Sequence, residues 1–592
     1  MRFGSAAGLL ARHSAVVVVV VFCPAQLVLA AIGSTGSVTP NPVADPTQSS
    51  ADLFIGDDFL GDADTVDPRA KVTVDDSDAN SLLEFNQIFV GYDVGFFGRL
   101  EVTGEGATVR LTDGGSNTNA ALEVGRLGNG YASFKNGASL VFTNSVSDLV
   151  IGSDAGSIGE MLVDTGSFVD LKQDLIVGDA GVGTLTISGG SLVRTTKDTS
   201  PASAAIFGDE TTGSGYVTVT GAQTILQLSD DLTVGRLGIG ELTIADGALV
   251  DADNTSSQTT IGALGKVRLL GGAFDVRDVN VSGYLGGHGV VRGQVDVLAS
   301  GDVQVSGGEL LNLEDTVNNS GAITITDGEI RFLDAATTSA TGRLTLEDGV
   351  VRYSQTHTNN GVIASAKGTS NLHGAINNAA GGTVVVASET IAVFNDTYTD
   401  AGTTTVLSRG NALFLADAIF TSTALVGLSL DAASGVNQSA QIVVGGNLDI
   451  QNASLALSFS PDFDLSTSQS LELIHTDGLL TGEFVPPVFP NVQGVDFGLV
   501  YSASGVMLDI SVDLNNVNPG DFNGDGVVNA ADYTVWRDGL GGAFSQADYL
   551  VWRDNYGNTY AALPAASGQA PEPAGVALAL LVLAAVGNPR RR

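Results

Sequence analysis

A short strand motif that ends in glycine recurs at a nearly constant interval through the first half of the chain. The motif can be written apolar-x-Val/Ile-Gly, and successive glycines are 34, 27, 26, 30, 27 and 27 residues apart. A repeat of this length is one supersecondary unit that cannot bury its apolar face alone. The period therefore predicts an elongated stack of units, not several globular cores. The glycines in question are Gly91, Gly125, Gly152, Gly178, Gly208, Gly235 and Gly262.

Within each unit, apolar and polar residues alternate. In the stretch from Gly183 to Gly190, Leu185 and Ile187 are separated by threonines, so the apolar side chains share one face of a strand. We expect each unit to be a strand pair with glycine corners, since glycine adopts positive φ without a steric cost. The predicted fold class is all-β, a right-handed parallel β-helix or solenoid. A β-sandwich or propeller also has short alternating strands, but neither explains a strict 27-residue period.

The 27-residue repeat is regular in one part of the chain and looser in another, and this difference divides the chain into segments. Paired asparagines mark the looser second half, at Asn318-Asn319, Asn359-Asn360 and Asn377-Asn378, and they predict either stacked ladders or ordinary turns. The predicted segments are an acidic N-terminal segment or cap (31–84), the 27-residue array (85–282), looser β-repeats (283–440) and a C-terminal β cap (441–515).

These segments resemble known families. The repeats over residues 85–275 are similar to those shared by type V secretion passengers and PEP-CTERM proteins. Residues 441–512, with Leu471-Glu472-Leu473-Ile474 and Gly482-Glu483-Phe484, resemble the terminal cap of autotransporter-like passengers. The resemblance implies an exported protein at the cell surface.

The chain is strongly acidic. It contains 26 Lys and Arg against 65 Asp and Glu, for a net charge of -39. Such a charge repels phosphate backbones, so nucleic acid is excluded as a partner, whereas cations are favoured. We expect most of the carboxylates to lie on solvated faces that keep a glycine-rich β-surface soluble.

Both chain ends carry targeting patterns. Residues 1–30 combine basic residues, an apolar run and the small-residue end Val28-Leu29-Ala30, which predicts a secretory signal peptide in preference to a membrane anchor. After a linker (561–570), residues 571–592 read Pro571-Glu572-Pro573, an apolar stretch and three arginines. This order predicts a membrane segment whose arginines stay on the cytoplasmic side. It resembles a PEP-CTERM sorting signal, and that resemblance implies processing by exosortase-like machinery on the way to the envelope or matrix.

One loop has the spacing of a calcium site. Gly526 takes position 6 of a twelve-residue loop, where the chain must turn sharply, and Val527 offers its carbonyl at position 7. Calcium binds six to eight hard oxygen ligands, which alternate side chains can supply. The predicted Ca²⁺ ligands are Asp521, Asn523, Asp525, Val527, Asn529 and Asp532.

The sequence after this loop is duplicated. Ala531 to Asp538 is echoed by Ala547 to Asp554, and residues 519–557 resemble a type I dockerin. The resemblance implies two loop-helix units, over residues 516–560, and a cohesin-like partner. The second loop departs from the pattern, since Arg537, Gly539 and Gly541 stand at its first three ligand positions. We therefore expect a single calcium site, and the module is either a docking unit or a structural spacer.

No catalytic constellation emerges from the sequence. The sequential carboxylates Asp75-Asp76 and Asp230-Asp231 would point to opposite faces of a strand, which does not suit paired acid-base work. His288, His357, His373 and His475 share no motif. We predict a structural or adhesive surface protein without catalytic residues. The alternative is a polysaccharide-binding or polysaccharide-degrading component of an extracellular complex.

Overall fold

A computed structural model describes most of the chain. The signal peptide predicted at 1–30 and the sorting segment predicted at 571–592 lie outside the described residues. Among the described residues, no helix has the length and apolar character needed to cross a bilayer. The described ranges are 32–40, 51–56, 70–76, 81–112, 120–143, 147–196, 204–254, 257–433, 436–492, 494–512 and 518–559.

The strands form three parallel ladders, because each strand pairs in register with the strand three places further along the chain. Each coil therefore contributes one strand to each of the three ladders. Strands Gly265–Val281 and Tyr284–Val297 run through all three ladders, and Leu448–Phe459 joins ladder 3 to ladder 1. The chain is thus an all-β, solenoid-like stack.

The remaining strands divide among the ladders as follows. Ladder 1 contains Lys71–Asp75, Phe97–Thr103, Asn129–Lys135, Ile158–Val163, Val182–Ile187, Ser214–Thr220, Ile239–Ala245, Asp302–Ser306, Ala322–Thr326, Arg343–Glu347, Val362–Lys367, Thr383–Val386, Thr403–Val406 and Leu425–Ala433. Ladder 2 contains Leu82–Phe85, Thr108–Leu111, Ser139–Phe142, Phe168–Leu171, Leu192–Thr195, Ile225–Gln227, Leu249–Ala252, Leu310–Leu313, Glu329–Phe332, Val350–Tyr353, Thr369–His373, Ile391–Phe394, Asn411–Phe414, Gln441–Val444 and Gln469–Thr476. Ladder 3 contains Asp52–Ile55, Gln87–Val90, Ala120–Val124, Asp148–Ile151, Leu175–Val177, Ala204–Phe207, Asp231–Val234, Thr259–Ile261, Val317–Asn319, Ala336–Thr338, His357–Asn359, Ile376–Asn378, Tyr398–Asp400, Ala418–Phe420 and Leu480–Val485.

Two details differ from the sequence-based expectation. Each unit has three strands instead of a pair, because the short segment Leu192–Thr195 bends away after two glycines and pairs in a ladder of its own. The stack also begins before residue 85, since Asp52–Ile55 and Lys71–Asp75 already pair in parallel with the next coil. Alternation over four or five residues is too short a signal to reveal such strands in an acidic segment.

Antiparallel strands cover both ends of the stack. Ile32–Thr35 and Val38–Thr39 pair antiparallel with the first coil. At the other end, Val495–Ser502 and Gly505–Val512 form a hairpin whose second strand pairs antiparallel with Gln469–Thr476. Such caps protect the edge hydrogen bonds of a solenoid from pairing with other chains.

The core is a set of apolar columns that run through the coils. In register on ladder 1, Met161, Leu185, Val217, Leu242 and Val267 point inward, and each is at most 2 % exposed. Burying a side chain of this size stabilises the fold by about 1.5–3 kcal/mol. Because every coil adds a layer to the same columns, stability grows with the number of coils.

Glycine is required at the corner between ladder 3 and ladder 1. Gly152 has a φ of +74°, and a Cβ there would lie 2.5 Å from the carbonyl carbon and oxygen of Val182 in the next coil. No other residue could make this close approach without strain. The corner explains why glycine, and not the strands, gave the clearest repeat in the sequence.

Aspartates link neighbouring coils at the corner between ladders 2 and 3. Asp148 Oδ1 accepts a hydrogen bond from the Asp174 backbone N–H at 3.0 Å, and Asp174 Oδ1 accepts one from Ala204 N–H at 2.7 Å. Asp231 repeats the pattern with Gln258. Burial raises the pKa of Asp148 to about 7. Some acidic side chains therefore accept hydrogen bonds from backbone N–H groups of the next coil, whereas most were expected to lie on solvated faces.

Two of the three asparagine pairs in the second half contribute to a buried ladder. Asn359 Nδ2 donates to Asn378 Oδ1 at 2.8 Å, and Asn378 Nδ2 donates to Asp400 Oδ1 at 2.7 Å. All three side chains are fully buried. The structure thus shows a ladder at Asn359 and Asn378. Asn319 instead donates to the Arg343 carbonyl at 3.0 Å. Asp400 also accepts hydrogen bonds from Thr404 Oγ1 and Gly402 N–H, yet burial raises its pKa to about 6.

Replacing Asp400 by asparagine should stabilise the stack at neutral pH. The pKa of Asp400 is raised from 3.8 to about 6 in the folded chain. The contribution of Asp400 to the free energy of unfolding is therefore complete below pH 4 and is lost as the pH rises through 6. The shift corresponds to about 3 kcal/mol. We expect Asp400→Asn to melt at a higher temperature than the parent at pH 8 and at a similar temperature at pH 4.

Asp462→Asn, at an exposed position, serves as the control and should not change the melting temperature at either pH. If the difference in melting temperature between the parent and Asp400→Asn were the same at pH 4 and pH 8, the burial of an ionisable carboxyl in the ladder would be contradicted.

Candidate metal centre

Two short helices form the C-terminal module. Helix α1 spans Ala530–Gly539 and helix α2 spans Gln546–Asn555. Asn529 caps α1 by accepting a hydrogen bond from Ala531 N–H at 2.7 Å, and Ser545 caps α2 in the same way. Both helices therefore begin with a capping box, which fixes where the preceding loop ends.

The loop before α1 brings three carboxylates together. One oxygen from each of Asp521, Asp525 and Asp532 lies within 4.8 Å of the others. Asp521 and Asp532 are buried, while Asp525 is exposed. Within the described residues, this is the one group of three or more Asp, Glu, His or Cys side chains with such close ligand atoms.

Backbone hydrogen bonds hold Asp521 in place. Its Oδ1 accepts from Gly524 N–H and Asp525 N–H at 3.0 and 3.1 Å, and its Oδ2 accepts from Gly526 N–H at 2.8 Å. Gly524 and Gly526 have φ values of +75° and +81°, so the loop curls around the carboxylate. Asn518 Nδ2 also donates to Oδ2 at 3.2 Å, so each oxygen already accepts two hydrogen bonds. A bound cation would replace at least one of them.

Asp532 has two roles. Its Oδ1 accepts from Asn523 N–H at 2.9 Å, and its Oδ2 accepts from Asn529 N–H at 2.8 Å. The same carboxylate therefore closes the capping box of α1 and stands at the last ligand position of the loop. The first turn of α1 also favours negative charge there, because of the helix dipole.

The other three predicted ligands point their oxygens at neighbours within the loop. Asn523 Oδ1 accepts from Asp525 N–H at 2.9 Å, and the Val527 carbonyl accepts from Asn529 Nδ2 at 3.0 Å. Asn529 Oδ1 is occupied by the cap of α1. The structure thus brings the carboxylates of the predicted set together, and it places the two amides and the carbonyl in hydrogen bonds around them.

The second loop has a different structure. Arg537 pairs with the adjacent Asp538, Gly539 ends helix α1, and Gly541 has a φ of +85°. Asp548 accepts from Ser545 N–H and Ser545 Oγ at 2.6 and 2.8 Å. Its carboxylate therefore serves the helix cap, and the connection between the helices is a short turn.

The duplicated tryptophans lock the two helices together. Trp536 Nε1 donates to the Ser545 carbonyl at 2.9 Å, and Trp552 Nε1 donates to the Asn529 carbonyl at 2.8 Å. Each tryptophan thus bonds to the cap residue of the other helix. Sequence reasoning noted the duplication but missed this exchange, because the repeated Tyr-x-x-Trp spacing does not show which residues the two tryptophans contact.

The end of the module is tied to the loop. Val528 N–H donates to the Asn558 carbonyl at 2.9 Å, and Gly557 N–H donates to the Val528 carbonyl at 2.8 Å. Val528 is fully buried. The loop is therefore hydrogen-bonded through Val528 to the residues after α2, and through Asn529 to Trp552 of α2.

The histidines occupy separate environments. His357 is buried, with Nδ1 2.9 Å from the Ala336 carbonyl oxygen, and burial lowers its pKa to about 4. His475 is flanked by Glu472 and Asp477 at 3.1 and 3.3 Å on the surface of the cap. These surroundings give His357 a structural role in the core.

No protein-family model matches the sequence, and no curated protein matches it. The resemblances to PEP-CTERM proteins, autotransporter-like passengers and dockerins therefore remain predictions that depend on their motifs.

The exchanged tryptophan bonds predict equal effects at the two positions. We expect Trp536→Phe and Trp552→Phe each to lower the free energy of unfolding of the helix pair by about 1 kcal/mol, the net contribution of one hydrogen bond. The chain has only two tryptophans, so the fluorescence of the remaining one follows this module alone during urea unfolding of the full chain.

Tyr556→Phe, at an exposed position of the same module, should leave the urea midpoint unchanged. If one tryptophan variant lost stability and the other did not, the two-fold arrangement of the helices would be wrong.

Proposed function

We propose that the chain is an exported structural or adhesive protein of the cell surface or extracellular matrix, built on a right-handed parallel β-helix. The observation that carries this proposal is the continuity of the three ladders from Asp52–Ile55 to Leu480–Val485. With about seventeen coils that rise about 4.8 Å each, the stack extends over roughly 80 Å. A rod of this length can hold its faces away from a membrane.

The C-terminal module binds Ca²⁺ in this proposal. Asp521, Asp525 and Asp532 are hard oxygen donors held close together, and calcium prefers such ligands. When bound, calcium supplies positive charge that offsets the repulsion between these carboxylates. The loop residues then hold the cap of α1 in one geometry, and the hydrogen bond from Trp552 to Asn529 extends this support to α2. The segment between the stack and the chain end is stiffened in this way.

The ends of the chain supply the proposed route to the surface. The signal peptide exports the chain, and the PEP-CTERM-like segment anchors it in the membrane, at least transiently, until exosortase-like machinery processes it. The charge pattern supports this orientation, since the final arginines stay on the cytoplasmic side.

A second candidate function is that of a polysaccharide-binding or polysaccharide-degrading component of an extracellular complex. The near-symmetric pair of capped helices favours it, because this arrangement is what a dockerin-like docking unit for a cohesin-like partner would need. The shortened second loop distinguishes this module from the two-site pattern of that family.

Calcium titration of the full chain tests the metal site. We expect about one Ca²⁺ per chain by calorimetry, since one loop has the ligand spacing. A double variant Asp521→Asn, Asp525→Asn should lose this binding, because it removes two of the three clustered charges. Asp554→Asn, which changes an exposed carboxylate paired with Arg553 in the same module, is the matched control and should bind like the parent. Equal binding by the double variant would refute the assignment.

Surface labelling tests the proposed location. An antibody against the stack should label intact cells of the source organism. Removal of residues 571–592 should move the protein into the medium, because the proposed anchor is lost. Labelling that requires permeabilised cells would contradict export.

A further inference from the structure

Three tyrosines occupy one outward column of ladder 1. Tyr131, Tyr216 and Tyr284 are linked by in-register pairs through Glu160, Thr184, Glu241 and Lys266. Successive tyrosines are therefore three coils apart, which corresponds to ~14 Å at about 4.8 Å per coil. The column presents an aromatic ring at equal steps over ~29 Å of a straight face.

The tyrosines point away from the core. Their sequence neighbours Ala132, Val217 and Leu285 are at most 1 % exposed and fill the interior, so the rings lie on the opposite side of the strands. Tyr216 is 37 % exposed. The other two rings are partly exposed, and each has a cation beside it. The Arg99 guanidinium carbon is 4.7 Å from the ring centre of Tyr131, and the Lys266 ammonium is 5.6 Å from that of Tyr284.

Aliphatic side chains extend the apolar character of this face. Ile158, Val182 and Ile239 begin strands of ladder 1, two residues before the tyrosine column, and all three are exposed. They lie in register in an adjacent column, in which Ser214 separates Val182 from Ile239. Exposed apolar groups gathered on one face of a protein mark an interaction surface.

Three basic groups beside the column have acidic partners, and Arg268 is exposed on the same face two residues beyond Lys266. Glu101 lies 2.5 Å from both Lys71 and Arg99, and Lys266 lies 3.6 Å from Glu241. The column thus carries little local net charge in a chain of net charge -39. An anionic polymer would be repelled by the chain as a whole, whereas a neutral one would not.

The connections that flank this face are short. Between Phe97–Thr103 and Gly265–Val281, the longest connections follow ladder 2 strands, at residues 112–119 and 196–203. The connections on either side of ladder 1 are shorter, for example residues 136–138 and 178–181. A long straight ligand could therefore lie along this face.

We propose that this face, defined by Tyr131, Tyr216 and Tyr284, binds a neutral linear polysaccharide along the axis of the stack. The apolar faces of sugar rings would stack on the tyrosines, while Glu160, Thr184 and Glu241 would accept or donate hydrogen bonds to hydroxyl groups. Equal spacing suits a polymer with a regular repeat, since several weak contacts act together. This inference depends on the proposed display outside the cell and adds a ligand class to it.

Retention on insoluble neutral polysaccharides tests the proposal. The purified full chain is incubated with cellulose, chitin and mannan, and the bound fraction is measured against protein concentration. We expect retention on at least one of them, resistant to high salt. The triple variant Tyr131→Ala, Tyr216→Ala, Tyr284→Ala should bind at least tenfold more weakly, whereas the triple change to phenylalanine should retain binding, because stacking needs only the ring.

Gln227→Ala, an outward change on ladder 2, is the matched control, and circular dichroism verifies that each variant is folded. Failure of the parent chain to bind any of these polymers, equal binding by the triple alanine variant, or binding that salt abolishes would each overturn the proposal. So would tyrosine-dependent self-association without retention, which would make the face an interface between copies. Surface labelling of cells is a separate readout, so a failure here is distinguishable from a failure of the proposed location.

Discussion

The backbone hydrogen bond between neighbouring coils is the interaction on which the rest of the structure depends. Each coil has one apolar interior that it cannot cover alone, and parallel pairing in register aligns these interiors into continuous columns such as Met161, Leu185 and Val217. Corner glycines such as Gly152 allow successive coils to approach closely. Because the pairing is local, the stack can change coil length, as it does after Tyr284–Val297, without losing its ladders.

The corners explain much of the unusual composition. Aspartates at the turn from ladder 2 to ladder 3 accept backbone N–H groups of the next coil, and asparagines in the second half bond to each other through the interior. Both devices satisfy polar groups that a tight turn would otherwise leave unpaired.

Two buried titratable groups of the second half have opposite effects on stability as the pH changes. The raised pKa of Asp400 favours acid conditions, whereas the lowered pKa of His357, two coils away, removes stability as the pH falls from 6.5 towards 4.

The sequence predicted the solenoid and the metal loop from different kinds of signal. Regular glycines and alternating strands such as Leu185 and Ile187 are local, so the fold class could be predicted. The division of each unit into three strands could not, because Leu192–Thr195 is too short to show its own periodicity. The clustered carboxylates follow from loop spacing, whereas the exchanged bonds of Trp536 and Trp552 depend on how two helices meet, which spacing does not encode. The tyrosine column was missed for a similar reason, since its members are far apart in the chain.

Amide hydrogen exchange of the full chain, measured with calcium and then with a chelator, tests the central claim that the stack is held by its own ladders while calcium acts on the helix pair. The account predicts slow exchange throughout the ladder strands in both conditions. It also predicts faster exchange on chelation within residues 518–559, where the carboxylate cluster supports the cap of α1 and Trp552 of α2 donates to the cap residue Asn529. Faster exchange of the ladder strands on chelation, or no change within 518–559, would contradict it.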